Sequence, residues 1–223
     1  MGIGIVKEEA KTKTCAYIIR DRKKLNDIIF PIFERYPLLT PKYFDYLKLR
    51  TAYSILENTD LTKFQQDKKM LDLINEVNYE SLNSPAWNII NHKVLDTTSA
   101  NKVMSKAWVI GFTEAKGKFY LGKDSDDKIL HTFEINQNMP LIVYAAIGRI
   151  LGIRTNFKNP ISKIITKNSR AIVNIIKYYH NNLKGFKSLE YVVWSRSYLK
   201  HKGKFSKLNY IKDNIIFKNK TLE

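Results

Sequence analysis

The charged residues best placed to do chemistry are Glu114 and Lys116, which stand at the end of one predicted helix. Gly117 follows them, at the position where a left-handed helix cap is usual, and residues 118–121 then predict a strand. A lysine in the last turn of a helix interacts favourably with the helix dipole, or it can bind a backbone phosphate. A carboxylate at the same end either hydrogen-bonds to the chain around it or binds a metal ion.

The helix that positions this pair covers residues 105–116 and is expected to be buried and closely packed. Ala107, Gly111 and Ala115 recur at every fourth position, so they form one nearly bare stripe on the helix surface. Two helix backbones approach closely only where the side chains are this small. The stripe therefore predicts a partner helix, or else a homodimer that forms through it.

The composition predicts a polyanionic partner. The chain of 223 residues has a formal net charge of +17 and a pI near 9.7, and clustered lysines and arginines gain affinity by releasing counterions from phosphates. The alternative is a surface that only confers solubility, or a basic tail on an unrelated fold. Because the basic residues are spread along the whole chain and alternate with aromatic residues, we favour nucleic acid.

Several classes of protein are excluded. The single cysteine, Cys15, allows neither an intrachain disulfide nor a cysteine-based metal site, and the four histidines lack the spacing of a zinc site. No apolar run of about 18 residues is present, so we expect no membrane partner. The start of the chain shows no signal or transit pattern, which predicts a soluble protein made where it works unless the true start is missing.

The predicted elements divide the chain into an incomplete first unit at 1–57, a linker with helical segments at 58–98 and a second unit at 99–223. The second unit follows the order α-β-β-α-β-β-α with trailing helices, an α+β arrangement with an antiparallel sheet. Pro31 predicts a kink in the helix that contains it, and Ser169 is the expected cap of a later helix. In the strands, the residues expected to face the core are Phe119, Leu121, Phe133 and Ile135.

Three short matches relate the two units in the same order. Met1-Gly2-Ile3 matches Leu151-Gly152-Ile153, Arg20-Asp21-Arg22 matches Lys167-Asn168-Ser169, and Lys42-x-x-Asp45-Tyr46-Leu47 matches Lys187-x-x-Glu190-Tyr191-Val192. Three matches with a common pattern of secondary structure predict a duplication. Nothing ahead of Met1 corresponds to residues 99–150, so the first unit is expected to lack its closely packed helix and its first two strands.

Residues 107–117, with the sequence A-W-V-I-G-F-T-E-A-K-G, resemble the signature helix of the LAGLIDADG homing endonuclease and maturase family. Further segments resemble the two-repeat proteins encoded in introns of fungal apocytochrome b genes: Ile18-Ile19-Arg20-Asp21, residues 31–37, Asp45-Tyr46-Leu47 and Tyr191-Val192-Val193-Trp194. The resemblance covers nearly the whole chain. It implies duplicated αββαββα units whose antiparallel sheets form a saddle over DNA, with the first unit incomplete. It also implies an organelle-encoded protein of the mitochondrial matrix.

The resemblance also implies where the active site would lie. In the family, two signature helices pack through their small residues, and each ends in an acidic residue immediately before the glycine. The two carboxylates bind Mg²⁺, which activates water for phosphodiester cleavage. Here Lys116 occupies that position and the chain holds no partner helix, so we expect no catalytic residue, no metal ligand and no cofactor. Mg²⁺ would serve only an active endonuclease form. Glu114, two residues earlier, points about 200° away and is expected to hydrogen-bond locally at the helix end.

Residues that would contact nucleic acid are inferred from the same resemblance. They comprise two basic residues that flank the family's active site, a polar residue at the end of the second strand, and outward-facing sheet residues: Lys42, Lys187, Gln137, Lys118, Tyr120, Arg154, Asn156 and Lys158. The basic run at 196–207 would either grip phosphates or form a solvated helix end.

Two functions follow from these expectations, and a third is weaker. The first is a splicing maturase that binds its group I intron RNA without a metal site. The second is a Mg²⁺-dependent endonuclease that acts on double-stranded DNA, with its missing first repeat supplied upstream or by another chain. The third is a remnant reading frame, or a different binding protein that reuses the fold. Since the acids are missing, this chain by itself is not expected to be an enzyme.

Overall fold

A computed structural model describes residues 2–9, 14–76, 83–124, 128–155 and 163–220 of the chain. The chain divides into two compact units, Met1–Ala86 and Trp87–Glu223. This boundary falls inside the segment 58–98 that we predicted as a linker, because the helix of that segment packs on its predecessor and belongs to the first unit. None of the helices in the described residues is long and apolar enough to cross a membrane.

The first unit consists of a hairpin followed by helices. Its elements are β1 (Ile5–Glu9), β2 (Thr14–Ile18), α1 (Arg22–Lys24), a π-helical segment (Leu25–Ile29), α2 (Phe30–Arg35), α3 (Lys42–Glu57) and α4 (Lys63–Asn75). The π-helical segment ends just ahead of Pro31, where a kink was predicted. Proline has no N–H, and its ring clashes with the carbonyl four residues earlier, so a wider turn accommodates it.

Few apolar side chains of the first unit are buried. Among its described residues, the buried ones are Phe30, Leu39 and Leu73. The rings of Tyr46 and Tyr53 pack edge-on against Phe30, with ring centroids 6.1 and 5.2 Å away. The two-stranded sheet is exposed along nearly its whole length.

The second unit contains a sheet of order β3-β4-β5, antiparallel throughout. A 3-10 helix (Pro85–Ile90) spans the boundary, and the elements after it are α5 (Thr97–Val103), α6 (Lys106–Lys116), β3 (Gly117–Lys123), β4 (Ile129–Asn136), α7 (Leu141–Leu151), β5 (Lys163–Thr166), α8 (Ser169–Tyr179), α9 (Lys187–His201) and α10 (Phe205–Lys220). This confirms the predicted α+β class. The predicted order α-β-β-α-β-β-α places a further strand between α7 and β5, near residues 154–157. Arg154 and Thr155 lie in no strand, and the rest of that stretch is outside the described residues.

The core of the second unit lies between the inner face of the sheet and the helices. Phe119, Leu121, Phe133 and Ile135 are all buried, as the alternation along the strands predicts. The Phe119 ring contacts the rings of Tyr179, Tyr191 and Trp194, with centroids 5.7, 5.4 and 5.2 Å apart. Helices α8 and α9 therefore cover one face of the sheet, and its other face carries the outward side chains.

The three sequence matches correspond to three local structures that recur in both units. Gly2 and Gly152 have left-handed backbones, with φ of +63° and +69°. Asp21 and Asn168 cap the helices that follow them. Lys42 forms an ion pair with Asp45, and Lys187 forms one with Glu190, three positions later in each case. One expectation was wrong in detail. Asn168, and not Ser169, is the helix cap, since its side chain accepts hydrogen bonds from two backbone N–H groups. The recurrence supports the duplication.

Candidate nucleic-acid interface

Helix α6 buries one narrow face and exposes the small-residue stripe. Val109 and Thr113 are buried, whereas Ala107, Gly111 and Ala115 are exposed. Because residues two apart on a helix point in nearly opposite directions, burial of 109 and 113 turns the stripe outward. The burial expected of α6 is therefore found on one face only, and the stripe itself is exposed. A Cβ added to Gly111 would meet nothing within 4 Å, and a partner for the stripe remains a prediction.

The end of α6 is fixed to α8 through Thr113 and continues directly into β3 at Gly117. The hydroxyl groups of Thr113 and Tyr179 lie 2.7 Å apart in the core, and burial raises the pKa of Tyr179. Gly117 has extended backbone (φ −78°, ψ 154°) and begins β3, so the left-handed cap expected there was wrong. A glycine is needed for another reason. A Cβ at 117 would lie 2.7 Å from the carbonyl oxygen of Thr113.

Glu114 holds the loop between α8 and α9. Its Oε1 accepts hydrogen bonds from the backbone N–H groups of Lys184 (2.6 Å) and Gly185 (2.9 Å). A Cβ at Gly185 would approach Oε2 to 2.7 Å, so the close fit uses the glycine. The expected role was hydrogen bonding at the helix end. The structure shows that the partners are in a distant loop, about 70 residues later in the chain.

The end of α6 does not fit a magnesium site. Lys116 is exposed in the last helical turn, where the family has its acidic residue. Glu114 already accepts two backbone hydrogen bonds and lies on a different side of the helix. Across the described residues, no group of three or more His, Cys, Asp or Glu side chains could hold a metal ion. No chemical step through Mg²⁺ can therefore be built from these side chains.

The outward face of the sheet carries an acidic residue at its centre. Lys118 is exposed, and Glu134 lies directly opposite it on the neighbouring strand. The hydroxyl of Tyr120 donates a 2.7 Å hydrogen bond to Glu134 Oε2, and burial together with this bond raises the pKa of Tyr120 to about 12. Sequence reasoning missed Glu134, although alternation along β4 places it on the outward side.

The other predicted contacts are dispersed. Arg154 is exposed after α7, and it lines a cleft of about 680 Å³ together with Arg149 and Asp96. Gln137 is half-buried and its side-chain amide donates to the carbonyl of Asn138. Two further predicted contacts, Asn156 and Lys158, are outside the described residues.

The two flanking lysines both have acidic partners. Lys187 Nζ lies 2.7 Å from Glu190 Oε1, and the two side chains are only 21% and 19% exposed. Lys42 Nζ lies 2.7 Å from Asp45 Oδ2, with both groups largely exposed. Contact with a phosphate would have to compete with these carboxylates, more so at Lys187, where the pair is less screened by solvent.

His131 was not selected from the sequence, although it occupies an inward position of β4. Its Nε2 lies 2.8 Å from Ser197 Oγ, and that hydroxyl donates to the carbonyl of Trp194. The serine therefore accepts from the histidine ring, whose Nε2 carries the proton. Burial, and to a smaller extent the charge of Lys202, lowers the pKa of His131 to about 4. His131 is a neutral core residue at physiological pH.

Known proteins resemble this chain in sequence and in fold. Residues 1–53 match the family model described as LAGLIDADG endonuclease. A "Probable intron-encoded endonuclease Cox1-I1b" of Schizosaccharomyces pombe is 35% identical over 215 residues, which cover 90% of this chain and 51% of that protein. The chain belongs to the LAGLIDADG family. It spans about half the length of this relative. The family match lies in the first unit, whereas α6, which carries the resemblance to the signature helix, lies in the second.

Two further proteins extend the comparison for this LAGLIDADG chain. An "Uncharacterized mitochondrial protein RF1" of Saccharomyces cerevisiae is 32% identical over 112 residues, which cover 50% of the chain and 21% of that protein. The solved structure of the LAGLIDADG meganuclease I-AabMI, bound to uncleaved DNA, superposes with a TM-score of 0.71 at 18% identity. That superposition covers 95% of the chain and 80% of the meganuclease. The shared fold is established, and the subdivision into apocytochrome b intron proteins stays a prediction.

Proposed function

We propose that this LAGLIDADG protein binds nucleic acid as a splicing maturase of a group I intron and does not cleave DNA as the chain stands. The observation that carries the proposal is the end of α6. Lys116 occupies the position of the acid, and Glu114 is engaged with the backbone of Lys184 and Gly185. A basic protein that lacks a carboxylate pair can still hold a folded RNA by its phosphates and shape.

A splicing assay and a cleavage assay on the same purified chain test this proposal. We expect the chain to accelerate splicing of a transcript of the intron that encloses its coding sequence. We expect no cutting of the intronless DNA junction in Mg²⁺. Cleavage of that DNA by the unmodified chain would overturn the proposal. So would binding of the intron RNA no tighter than of an unrelated RNA at physiological salt.

The variant Glu114→Gln separates structure from catalysis. The glutamine carbonyl can still accept the two backbone hydrogen bonds, so the loop stays in place. We therefore expect splicing activity within about twofold of the unmodified chain, a change well below 1 kcal/mol. If the unmodified chain did cleave DNA, loss of that activity in Glu114→Gln would identify Glu114 as the acid that replaces the missing one.

A second candidate function is a Mg²⁺-dependent DNA endonuclease whose first repeat comes from upstream or from another chain. The exposed stripe of Ala107, Gly111 and Ala115 favours it, since an uncovered small-residue face suits a second helix. Gly111→Leu tests the pairing. The new side chain has open space in the isolated chain, yet it would block close helix approach. If sedimentation shows a monomer for both the unmodified chain and the variant, homodimerisation through the stripe is excluded.

We place the protein in the mitochondrial matrix as part of the same proposal. The support is the similarity to the Saccharomyces cerevisiae relative, which is described as a mitochondrial protein. Fractionation of cells that express the gene tests it, and recovery of the protein outside mitochondria would contradict it.

A further inference from the structure

The segment from the second half of α9 to the first turns of α10 is strongly basic. Between Tyr191 and Lys212 the sequence contains six basic residues and no acidic one. Five of them are exposed: Arg196, Lys200, Lys202, Lys204 and Lys207. We call these five residues the helix-side surface. Within the described residues, none of the five forms an ion pair with a carboxylate.

Two residues of the helix-side surface, Arg196 and Lys200, point away from the sheet. Helix α9 buries Tyr191, Trp194 and Tyr198 against the inner face of the sheet, where Trp194 and Tyr198 contact Phe119 and His131. Arg196 and Lys200 each follow a buried residue by two positions, so they project from the opposite side of the helix. The outward residues of the sheet project from its other face. Helix α9 and the sheet therefore separate Arg196 and Lys200 from Lys118 and Glu134.

Two features of this charge pattern oppose folding, although part of it is favourable. Lys200 and Lys202 stand at the C-terminal end of α9, where a cation is favourable. Lys204 and Lys207, however, stand at the N-terminal end of α10, which favours negative charge. Arg196 and Lys200 are one helical turn apart, and like charges at that spacing repel each other. A polyanion bound to this surface would relieve both effects.

We propose that the helix-side surface binds the phosphate backbone of double-helical RNA, as a second nucleic-acid surface separate from the outward face of the sheet. The inference rests on the proposed maturase function for its choice of RNA. The surface offers ammonium and guanidinium groups on helix sides. Duplex RNA is recognised mainly by its backbone and shape, because its major groove is too narrow for side chains to read. Contacts of this kind are independent of sequence and depend steeply on salt.

The outward face of the sheet has a different charge pattern. Glu134 stands opposite Lys118 and interrupts the positive charge of that face. A carboxylate repels phosphates and instead suits a hydrogen-bond donor such as the amino group on the edge of cytosine. The two surfaces therefore differ in kind, one suited to the backbone and the other to base edges.

Salt-dependent binding to a mixed-sequence RNA duplex of about 20 base pairs, and to the DNA duplex of the same sequence, tests the inference. One variant carries R196Q, K200Q, K204Q and K207Q. Lys202 is kept, because its charge acts on the buried His131. The control carries K23Q, K68Q, K69Q and K93Q, which remove the same charge from exposed lysines elsewhere. Tryptophan fluorescence and circular dichroism verify that both variants are folded.

The expected result is a loss of RNA affinity of at least about 10-fold in the helix-side variant, with a salt slope about three units shallower. The control should bind RNA within about threefold of the unmodified chain, and the helix-side variant should lose less DNA affinity than RNA affinity. Equal losses in the two variants would overturn the inference, since net charge alone would then explain binding. Equal losses on RNA and DNA would overturn the assignment to RNA. Because the duplex contains no intron sequence, these outcomes are independent of whether intron RNA is preferred, which the splicing proposal requires.

Discussion

Gly2 in the first unit and Gly152 in the second both adopt left-handed backbone, and Asp21 and Asn168 both cap the helix that follows. The two units nevertheless differ in what these local structures support. In the second unit, the three-stranded sheet and three helices (α7, α8 and α9) enclose a continuous apolar core. In the first, the hairpin is exposed and Phe30 is the most buried of its described apolar side chains.

The difference shows which parts of a repeat are encoded locally and which are not. A cap, a glycine turn or an ion pair between residues three apart depends on a few neighbouring residues, so each persists in a unit that lacks other elements. A core requires several elements together, because apolar burial supplies most of the stabilising free energy. We therefore expect the second unit to be much more stable than the first.

Removing a core ring should show the largest difference between the units. Phe133 is fully buried, with ring contacts to Phe119 and Tyr179, so Phe133→Ala should destabilise the second unit by about 3–5 kcal/mol. All three tryptophans, Trp87, Trp108 and Trp194, belong to that unit. Urea unfolding followed by tryptophan fluorescence therefore measures its stability.

Phe30→Ala is the matched substitution in the first unit. Far-ultraviolet circular dichroism reports both units, so we expect a first transition that fluorescence does not detect. Phe30→Ala should lower the midpoint of that transition and leave the fluorescence transition in place. If the two probes give coincident transitions for the unmodified chain, the units unfold together, and the expected difference in stability between them is contradicted.

Acid should destabilise the second unit selectively through His131. Its folded pKa of about 4 lies below the ordinary value of 6.5, so the folded state favours the neutral ring. The stability from this residue is complete above about pH 6.5 and is lost as the pH falls towards 4. The loss approaches about 3 kcal/mol. The fluorescence-detected free energy of unfolding, measured from pH 7.5 to 4, checks this.

His131→Phe is the control for that titration. It keeps an aromatic ring against Trp194 and Tyr198 but cannot be protonated. It should lower stability at neutral pH, because Ser197 no longer accepts a hydrogen bond from the histidine ring, and it should flatten the pH dependence of stability between pH 6.5 and 4. All four histidines lie in the second unit. An unchanged pH dependence in the variant would assign the titration to other groups.

The fold could be predicted from the sequence wherever periodicity is strong. The strands at Gly117–Lys123 and Ile129–Asn136 alternate apolar and polar residues, and Phe119 and Phe133 were correctly expected to face inward. Which face of α6 is buried could not be predicted, because its buried Thr113 contacts Tyr179, which is 66 residues later in the chain. The boundary after residue 86 lies inside the predicted linker 58–98, but its position within that segment could not be predicted, since the contact between α3 and α4 is tertiary.

The candidate site was only partly predictable. Lys116 and Glu114 were found because they adjoin a recognisable helix, but the loop that Glu114 holds lies about 70 residues away. No local pattern marks such a contact. His131 and Glu134 follow from alternation along β4, yet their partners Ser197 and Tyr120 depend on how elements pack.

The paired glycines offer a smaller test. Gly152→Ala should cost about 2 kcal/mol, because the left-handed backbone disfavours a side chain and the new Cβ would lie 2.6 Å from Asn174 Nδ2. Gly2→Ala carries the same backbone cost in open space, near the chain start and in the less stable unit. We expect the fluorescence transition to shift for Gly152→Ala only. A shift of equal size for Gly2→Ala would mean that the two units are energetically coupled.

The repeated ion pair should show the smallest effect, because the same geometry occurs at two levels of burial. Lys187→Met leaves Glu190 half-buried without its partner and should cost about 1–2 kcal/mol. Lys42→Met removes a pair that is largely exposed, so the change should stay within about 0.5 kcal/mol. Raising the salt concentration should reduce the Lys42 effect further and change the Lys187 effect less, since partly buried charges are screened less. If the two substitutions cost the same free energy of unfolding at low salt and respond equally to added salt, the difference in burial does not change the strength of the ion pairs. The greater stability of the second unit would then come from apolar packing alone.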